Sequence, residues 1–147
     1  MRKLFLAALL TVTVAASAFA KDINSKNVRA ERRFSADFRN AEKVQWTLRS
    51  TFAKATFYLN GEKREAFYDL NGEMIGTSSN ISLNQLPVSS KRIFAKKYDG
   101  YTVKEAIHFE GIEEAAYYIS AENENESVIL KVTDTNGVSV FKKARKS

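Results

Sequence analysis

The segment Phe52–Ile75 constrains the fold more than any other part of this 147-residue chain. Apolar and polar residues alternate along it, and the pair Asn-Gly interrupts the alternation twice, at Asn60-Gly61 and at Asn71-Gly72. An Asn-Gly pair between two alternating runs favours a tight hairpin, because both central residues of a type I′ turn need positive φ. The segment therefore predicts three antiparallel strands, and the similar pattern of residues 115–140 predicts more of the same kind.

The first twenty residues have the pattern of a removable secretory signal. Two basic residues are followed by an apolar stretch over residues 4–16 and by the small-residue sequence Ala18-Phe19-Ala20. The apolar stretch is short for a membrane-spanning helix. No cysteine follows it that could carry a lipid anchor. We expect a signal peptide at residues 1–20 and a mature domain at residues 21–147, periplasmic or secreted, without a membrane anchor.

The amino-acid composition excludes several classes of functional site. The chain has no cysteine, which excludes disulfides, thiolate catalysis and Cys-ligated zinc. Without the signal peptide the net charge falls from +6 to +4. Part of this excess lies in residues 142–146, which we interpret as a frayed basic end, and we expect no nucleic-acid partner for an exported chain.

Two amphipathic helices are expected, each followed by four strands. The first covers residues 28–41, where Ala30, Phe34, Phe38 and Ala41 recur at helical spacing. The second begins at Pro87, since proline is tolerated in a first helical turn, and ends at Asp99-Gly100. The strands are expected near residues 43–49, 53–59, 62–69 and 73–78, and near 101–110, 113–121, 127–133 and 138–142.

The two halves of the chain resemble each other. The pair Phe34 and Phe38 corresponds to Phe94 and Tyr98, and residues 69–72 correspond to residues 134–137. We predict one α+β domain made of two repeats, about residues 28–80 and 85–142. Its strands form tandem four-stranded antiparallel meanders, joined in one sheet or separate in two, with the helices on one face.

The order of these features resembles a known family. Four features resemble the secreted PepSY-like proteins: a helix with two aromatic residues four apart, a short strand with Trp46, an Asp-x-Asn-Gly turn, and a Leu-Pro pair before the second helix. The PepSY-like proteins are grouped with the β-lactamase-inhibitor-protein (BLIP-like) fold. The resemblance covers most of residues 28–142 and rests on turn and core residues. It implies an exported protein without catalytic residues. It also implies that the open sheet face and a hairpin loop are where binding occurs.

The residue types needed for catalysis are scarce. His108 is the single histidine, and a nucleophilic site needs a base beside its nucleophile. No Gly-x-Ser-x-Gly motif is present. A solvent-exposed surface histidine is the favoured interpretation of His108. We therefore expect no enzyme activity and no catalytic residue.

The acidic residues do not indicate a metal site. Glu122, Glu124 and Glu126 alternate with asparagine in a turn, but calcium needs six to eight oxygens from a shaped loop, and the corresponding motif is missing. We interpret this segment as a solvated hairpin tip. Asp69 and Asp134 precede Asn-Gly turns and are interpreted as turn-building residues. No metal and no cofactor is predicted.

Strict alternation divides the strand residues between two faces. The helices are expected to cover Val44, Trp46, Leu48, Ala55, Phe57, Phe67, Ile107, Phe109, Ala116, Tyr118, Leu130 and Val132. The residues expected to face outward are Thr56, Tyr58, Ala66, Tyr68, Ala106, His108, Tyr117, Ile119 and Ile129. Tyrosines with a charged rim are typical of protein-recognition surfaces. The candidate partner-binding residues are therefore Lys54, Tyr58, Tyr68, His108, Tyr117 and Ile119.

These patterns favour an exported, non-enzymatic binding module that recognises or inhibits an envelope protein or peptide through the open sheet face. The alternative is a periplasmic protein that binds a small ligand or an ion, in a cleft between the repeats or at the acidic turn. The sequence does not identify the partner.

Overall fold

The computed structural model describes residues 27–133, 135 and 137–147, so the predicted signal peptide lies outside the described residues. In chain order the elements are α1 (Asn27–Asp37), β1 (Glu42–Leu48), β2 (Ala53–Leu59), β3 (Glu62–Tyr68), β4 (Met74–Asn80), a 3₁₀ turn (Leu83–Gln85), α2 (Val88–Lys97), β5 (Thr102–Gly111), β6 (Ala115–Glu122), β7 (Glu126–Thr133) and β8 (Gly137–Arg145). Neither described helix is both long and apolar enough to cross a membrane.

Hydrogen bonds join the eight strands in sequence order into one open antiparallel sheet. The predicted α+β class is confirmed. The described chain divides into two compact units. The N-terminal unit contains residues 27–80 and 109–115, and the C-terminal unit contains residues 81–108 and 116–147.

The first hairpin turn has the predicted geometry. Asn60 and Gly61 both have positive φ, at 53° and 81°, as a type I′ turn requires. This two-residue turn places Leu59 opposite Glu62, and the antiparallel register then continues without a bulge to the pair Ala53 and Tyr68. The turn thus determines which residues of β2 and β3 share a face.

The second turn is longer than a two-residue hairpin. Between Tyr68 and Met74 the Asp69 carboxylate accepts hydrogen bonds from the N–H groups of Asn71 and Glu73, both at 2.9 Å. Gly72 has φ of 85°. A Cβ atom on Gly72 would lie 2.5 Å from the Cβ atom of Arg29 in α1. Glycine is needed here because the turn approaches the helix backbone closely.

The N-terminal unit buries one face of its strands under α1. Ala30 and Phe34 of the helix pack against a core that includes Phe57, which is fully buried. The Phe34 ring meets the Phe57 ring edge-on, with centroids 4.9 Å apart. Burial of a Phe side chain of this kind contributes about 1.5–3 kcal/mol. Trp46 packs against the same core, as predicted.

Helix α1 ends four residues before its expected end. The N–H group of Phe38 still donates to the Phe34 carbonyl at 2.8 Å, but the chain then turns through Arg39 and Asn40. Phe38 and Ala41 nevertheless pack against the core of the N-terminal unit. The apolar spacing that suggested a longer helix arises because the turn keeps these two residues on the buried side.

The C-terminal unit has its own core beneath α2. Pro87 is the N-cap of this helix, so its predicted start is confirmed. The helix ends at Lys97, two residues before the predicted end, and Gly100 follows with φ of 81°. Phe94 packs with the strand residues Ala106, Ile119 and Leu130. The further members of this core are Leu86, Ala121, Val128 and Val132.

Candidate functional site

The candidate site is the face of the N-terminal unit's strands that points away from α1, which we call the open face. Alternation places Lys54, Thr56 and Tyr58 of β2 on this face, because Ala53, Ala55 and Phe57 lie under the helix. Their partners across β3 are Phe67, Glu65 and Lys63. The predicted outward positions of Thr56 and Tyr58 are therefore confirmed. Lys54, which was expected at the charged rim, lies on the same face but is buried.

A buried ion pair lies in the middle of the open face. The Lys54 ammonium is 2.7 Å from Oε1 of Glu65, and Lys54 is only 5% exposed. The Thr56 hydroxyl donates to the same carboxylate at 3.4 Å, and so does the Ser78 hydroxyl from β4, also at 3.4 Å. Because a buried charge must be paired and hydrogen-bonded, the network fixes the Lys54 and Glu65 side chains in place.

An aromatic cluster lies beside this ion pair. The Phe67 ring lies between Phe52, at 5.9 Å between centroids, and Phe109, at 6.2 Å. All three rings are buried. A Cβ atom on Gly76 would come within 2.7 Å of the Phe109 ring, so glycine at this position allows the ring to lie against the β4 backbone. The cluster gives the open face a rigid apolar layer.

Tyr58 is the exposed aromatic side chain of the open face. It is 38% exposed. The ammonium of Lys43 lies 5.4 Å from the centre of its ring, and Lys63 is directly opposite it on β3. Lys43 has φ of 53° and lies in an irregular part of β1, where the register with β2 shifts. The arrangement offers one flat aromatic surface between two lysines.

Tyr68 is not on the open face, and its predicted outward position is wrong. It is fully buried on the α1 side, with its ring 5.9 Å from Trp46. Burial, together with the negative charge of Asp37, raises the pKa of the Tyr68 phenol well above its ordinary value of 10.0. Within the described part of the chain its hydroxyl has no hydrogen-bond partner. A buried phenol of this kind cannot contact another protein.

The predicted outward positions of Ile119, Tyr117 and His108 are wrong as well. Ile119 is fully buried in the core under α2, and Tyr117 packs against that core. The His108 imidazole stacks on the Tyr117 ring at 4.6 Å between centroids, with 29° between the planes. Since Ala106 belongs to the same core, alternation places His108 on the α2 side of β5.

The wrong face was predicted for residues of three strands that are apolar on both faces. In β3, β5 and β6 consecutive residues such as Ala66, Phe67 and Tyr68 are all buried, so a period of two does not indicate which set lies under a helix. A signal for β3 was present in the sequence, because a two-residue turn at Asn60-Gly61 pairs Ala55 with Ala66. The same error affects other strand residues: Ala66 and Ala106 lie on the helix sides, and Phe67 on the open face.

The carboxylates of the acidic turn in the C-terminal unit form ion pairs with lysines. Glu122 pairs with Lys104 at 2.8 Å and with Lys146 at 3.1 Å, and Glu126 pairs with Lys143 at 2.7 Å. Hydrogen bonds from these lysines, and from the Tyr101 hydroxyl to Glu126, lower the pKa of both carboxyls. Among the described residues no group of three or more His, Asp or Glu comes together as a metal site.

An apolar groove of about 360 Å³ lies beside α2 in the C-terminal unit. Its walls include Leu86, Phe94, Tyr98 and Tyr101. The Phe94 and Tyr98 rings stack at 5.7 Å, and Tyr98 meets Tyr101 edge-on at 5.3 Å. The groove is the feature of this unit that could hold a small apolar group.

Comparison with known proteins shows which fold this is. No protein-family model matches the sequence, and no curated protein is significantly similar to it. Solved structures do match. A BLIP-like protein from Bacteroides fragilis superposes with a TM-score of 0.65 at 17% identity, over 80% of this chain and 84% of the other.

Two further solved structures also superpose on this chain. A DUF2874 family protein from Bacteroides ovatus superposes with a TM-score of 0.68 at 19% identity, over 80% of this chain and 85% of the other. A protein from Bacteroides eggerthii, provisionally assigned to the periplasm, gives 0.69 at 15% identity, over 87% and 90%. Identities this low define a shared fold and not a shared activity. The chain therefore has the BLIP-like fold.

Proposed function

We propose that this chain is an exported, non-enzymatic binding module that recognises a protein or peptide of the cell envelope through the open face. The observation that carries the proposal is the exposed Tyr58 between Lys43 and Lys63, beside the fixed Lys54–Glu65 pair. Aromatic anchors on a rigid base and with a charged rim are typical of the energetic centres of protein interfaces.

Side chains of the open face that are ordered before binding favour association. A side chain that is already held before binding loses little conformational freedom when the partner arrives. Lys54 and Glu65 are held by their ion pair and by two hydroxyl groups, and the Phe67 ring beside them is packed on both sides. The open face therefore presents Tyr58 from a preorganised surface.

The fold comparison supports the same proposal. One structure with this fold carries the description BLIP-like, and another is provisionally assigned to the periplasm. Together with the secretory pattern of residues 1–20, this supports export and restraint of an envelope protein as the role of the module. We also propose that residues 28–80 and 85–142 are two copies of one module. The element order, one helix and four strands in each half, supports this.

Affinity capture tests the proposed binding. The mature chain, residues 21–147, is immobilised and exposed to an envelope extract, and captured proteins are identified by mass spectrometry. A double variant, Tyr58→Ala with Lys63→Ala, is expected to lose the specific partner, because it removes the exposed ring and one flanking charge. Its circular dichroism and melting temperature should remain close to those of the wild type, since Tyr58 is partly exposed and Lys63 is exposed.

A matched control is available in the C-terminal unit. The double variant Tyr98→Ala with Lys97→Ala removes the same residue types from α2 and its end. It should retain the partner. Equal capture by wild type and both double variants would rule out the open face as the binding site, and loss with the control alone would assign binding to the α2 side.

A second candidate function is small-ligand binding in the groove beside α2, favoured by its stacked aromatic walls. Calorimetric titration of the mature chain with a long-chain fatty acid tests it. Heat release with the fatty acid that disappears in Tyr98→Ala supports the groove. The absence of heat and of any melting shift contradicts it.

A further inference from the structure

The C-terminal basic residues form a strand, and the expectation of a frayed end is wrong. Strand β8 runs from Gly137 to Arg145 and pairs with β7 along its length, from Thr133 opposite Gly137 to Glu126 opposite Arg145. It is the last strand in the order of the sheet. Within the described residues β7 is its single strand partner, so the backbone groups on its other side have no neighbouring strand.

Three contacts fix the end of β8 in place. The Lys143 ammonium is 2.7 Å from Glu126, and the Lys146 ammonium is 3.1 Å from Glu122. The N–H group of Lys146 also donates to the Asn125 carbonyl at 2.8 Å. The strand edge is therefore an ordered template for pairing, and little conformational freedom would be lost when another strand adds to it.

The surroundings of this edge are strongly basic. Lys142 and Arg145 are exposed, and the positive charge of Arg145 contributes to lowering the pKa of Glu126, which lies opposite it on β7. Helix α2 packs against β8, with Ile93 beside Gly137, and its exposed side carries Arg92, Lys96 and Lys97. The C-terminal unit, residues 81–108 and 116–147, contains ten basic residues (Lys and Arg) and six acidic residues (Asp and Glu). We call β8 with the exposed basic residues of α2 the basic edge.

We infer that the basic edge docks an extended acidic segment of a partner protein, which adds to the sheet beside β8. Backbone hydrogen bonds to the edge strand supply affinity that does not depend on side chains, and complementary charge selects the partner. A second copy of this chain is disfavoured as the occupant, because β8 against β8 brings lysine and arginine side chains together. The same charges exclude neutral and basic strands.

A labelled synthetic peptide with alternating Glu and Val tests the inference. Its binding to the mature chain is measured by fluorescence anisotropy at low and at physiological ionic strength. The double variant Lys142→Glu with Arg145→Glu is expected to weaken binding by about tenfold or more, because two attractive charges become repulsive. Hydrogen exchange of the β8 amides should slow when the wild-type chain is saturated with peptide.

Three controls make the result decisive. The double variant Arg32→Glu with Arg49→Glu changes the charge equally on exposed residues of the N-terminal unit, and it should bind the peptide like the wild type. A peptide of the same charge with proline at alternate positions cannot pair as a strand and should bind much more weakly. Equal binding of the proline peptide, or equal loss in both double variants, would overturn the inference, and so would binding to anionic lipid vesicles without binding to the peptide.

Discussion

At the scale of single residues, Lys54 is unusual because it is a charged side chain in a buried position. Charged side chains are rarely buried unless paired, and Lys54 is 5% exposed with its ammonium 2.7 Å from Glu65. The pair also joins β2 to β3, since Lys54 and Glu65 lie on these two neighbouring strands. It therefore fixes the position of both side chains on the open face at the cost of burying two charges.

We expect Lys54→Ala to destabilise the domain by about 3 kcal/mol, because removal of one partner leaves Glu65 as an uncompensated, mostly buried charge. Urea unfolding of the mature chain measures the change. The double variant Lys54→Met with Glu65→Gln removes both charges and should be closer to the wild type than Lys54→Ala is. A Lys54→Ala variant as stable as the wild type would show that the pair has no structural role.

Gly72 is required by two independent features of its environment. It has φ of 85°, and a Cβ atom there would lie 2.5 Å from the Cβ atom of Arg29. We expect Gly72→Ala to lower the free energy of unfolding by about 2–4 kcal/mol, since backbone strain and steric overlap both oppose it. The matched control is Gly61→Ala, where φ is 81° and nothing lies within 4 Å. This control should cost only the backbone strain, about 1–2 kcal/mol, and an equal loss in both variants would contradict the steric overlap.

Tyr68 connects burial to the dependence of stability on alkaline pH. Its folded-state pKa is raised above the ordinary value of 10.0. The unfolded chain therefore loses the phenolic proton first, and stability falls as the pH rises above about 10. We expect Tyr68→Phe to reduce this fall while changing the stability at neutral pH by less than about 1 kcal/mol, because the hydroxyl has no hydrogen-bond partner within the described chain. Urea unfolding at neutral and alkaline pH measures both effects, and an unchanged alkaline slope would contradict the assignment.

At the scale of secondary-structure elements, the faces of the strands were harder to predict than the strands themselves. Strand β2 has small and aromatic residues on one face and Lys54, Thr56 and Tyr58 on the other, so its orientation followed from alternation. Strands β3 and β6 bury consecutive residues, and their orientation followed from pairing. The pair Ile119 and Leu130 shows this, because Leu130 was placed correctly under α2 and its partner was not.

The end of β8 is attached to the β6–β7 hairpin through the carboxylates of Glu122 and Glu126, and this attachment weakens at acidic pH. Hydrogen bonds to Lys104, Lys143 and Lys146 lower the pKa of Glu122 and Glu126 below the ordinary value of 4.5. A lowered folded-state pKa contributes stability above the unfolded pKa, and this contribution is lost as the pH falls below about 4.5.

We expect the double variant Glu122→Gln with Glu126→Gln to flatten the decrease of melting temperature below pH 4.5. Its melting temperature at neutral pH should decrease only slightly, because the lysines are exposed and the ion pairs are screened by solvent. Thermal unfolding followed by circular dichroism over this pH range measures the effect. The exposed Glu124, which has no ion pair in the described chain, provides the control variant Glu124→Gln. The same acid dependence in all three proteins would contradict the attachment.

At the scale of the whole molecule, the sheet is open and has two edge strands, β1 and β8. Each pairs on one side, whereas β2, β3, β6 and β7 pair on both sides. Native-state hydrogen exchange should therefore be slower in these four strands than in the edge strands by at least about tenfold. Exchange measured by nuclear magnetic resonance on the mature chain tests this, and equally slow exchange in β1 or β8 would show that the edge is covered in solution.

The sequence by itself determined the local structure of this protein. Four features depend on residues that are neighbours in the chain: the Asn60-Gly61 turn, the helix start at Pro87, the order of one helix and four strands in each half, and the α+β class. The φ preferences and the periodicity of such residues can be read directly from the sequence. The inward positions of Trp46 and Phe57 followed from the same periodicity.

Only the tertiary structure decided which residues are available for contact. Tyr68, Tyr117 and Ile119 belong to strands with apolar residues on both faces, so their burial depends on strand pairing and on the helix above them. The ordering of β8 likewise depends on Glu122 and Glu126, which are about twenty residues away in the chain. The physical reason is that burial and ion pairing depend on distances between strands, and periodicity within one strand does not encode these distances.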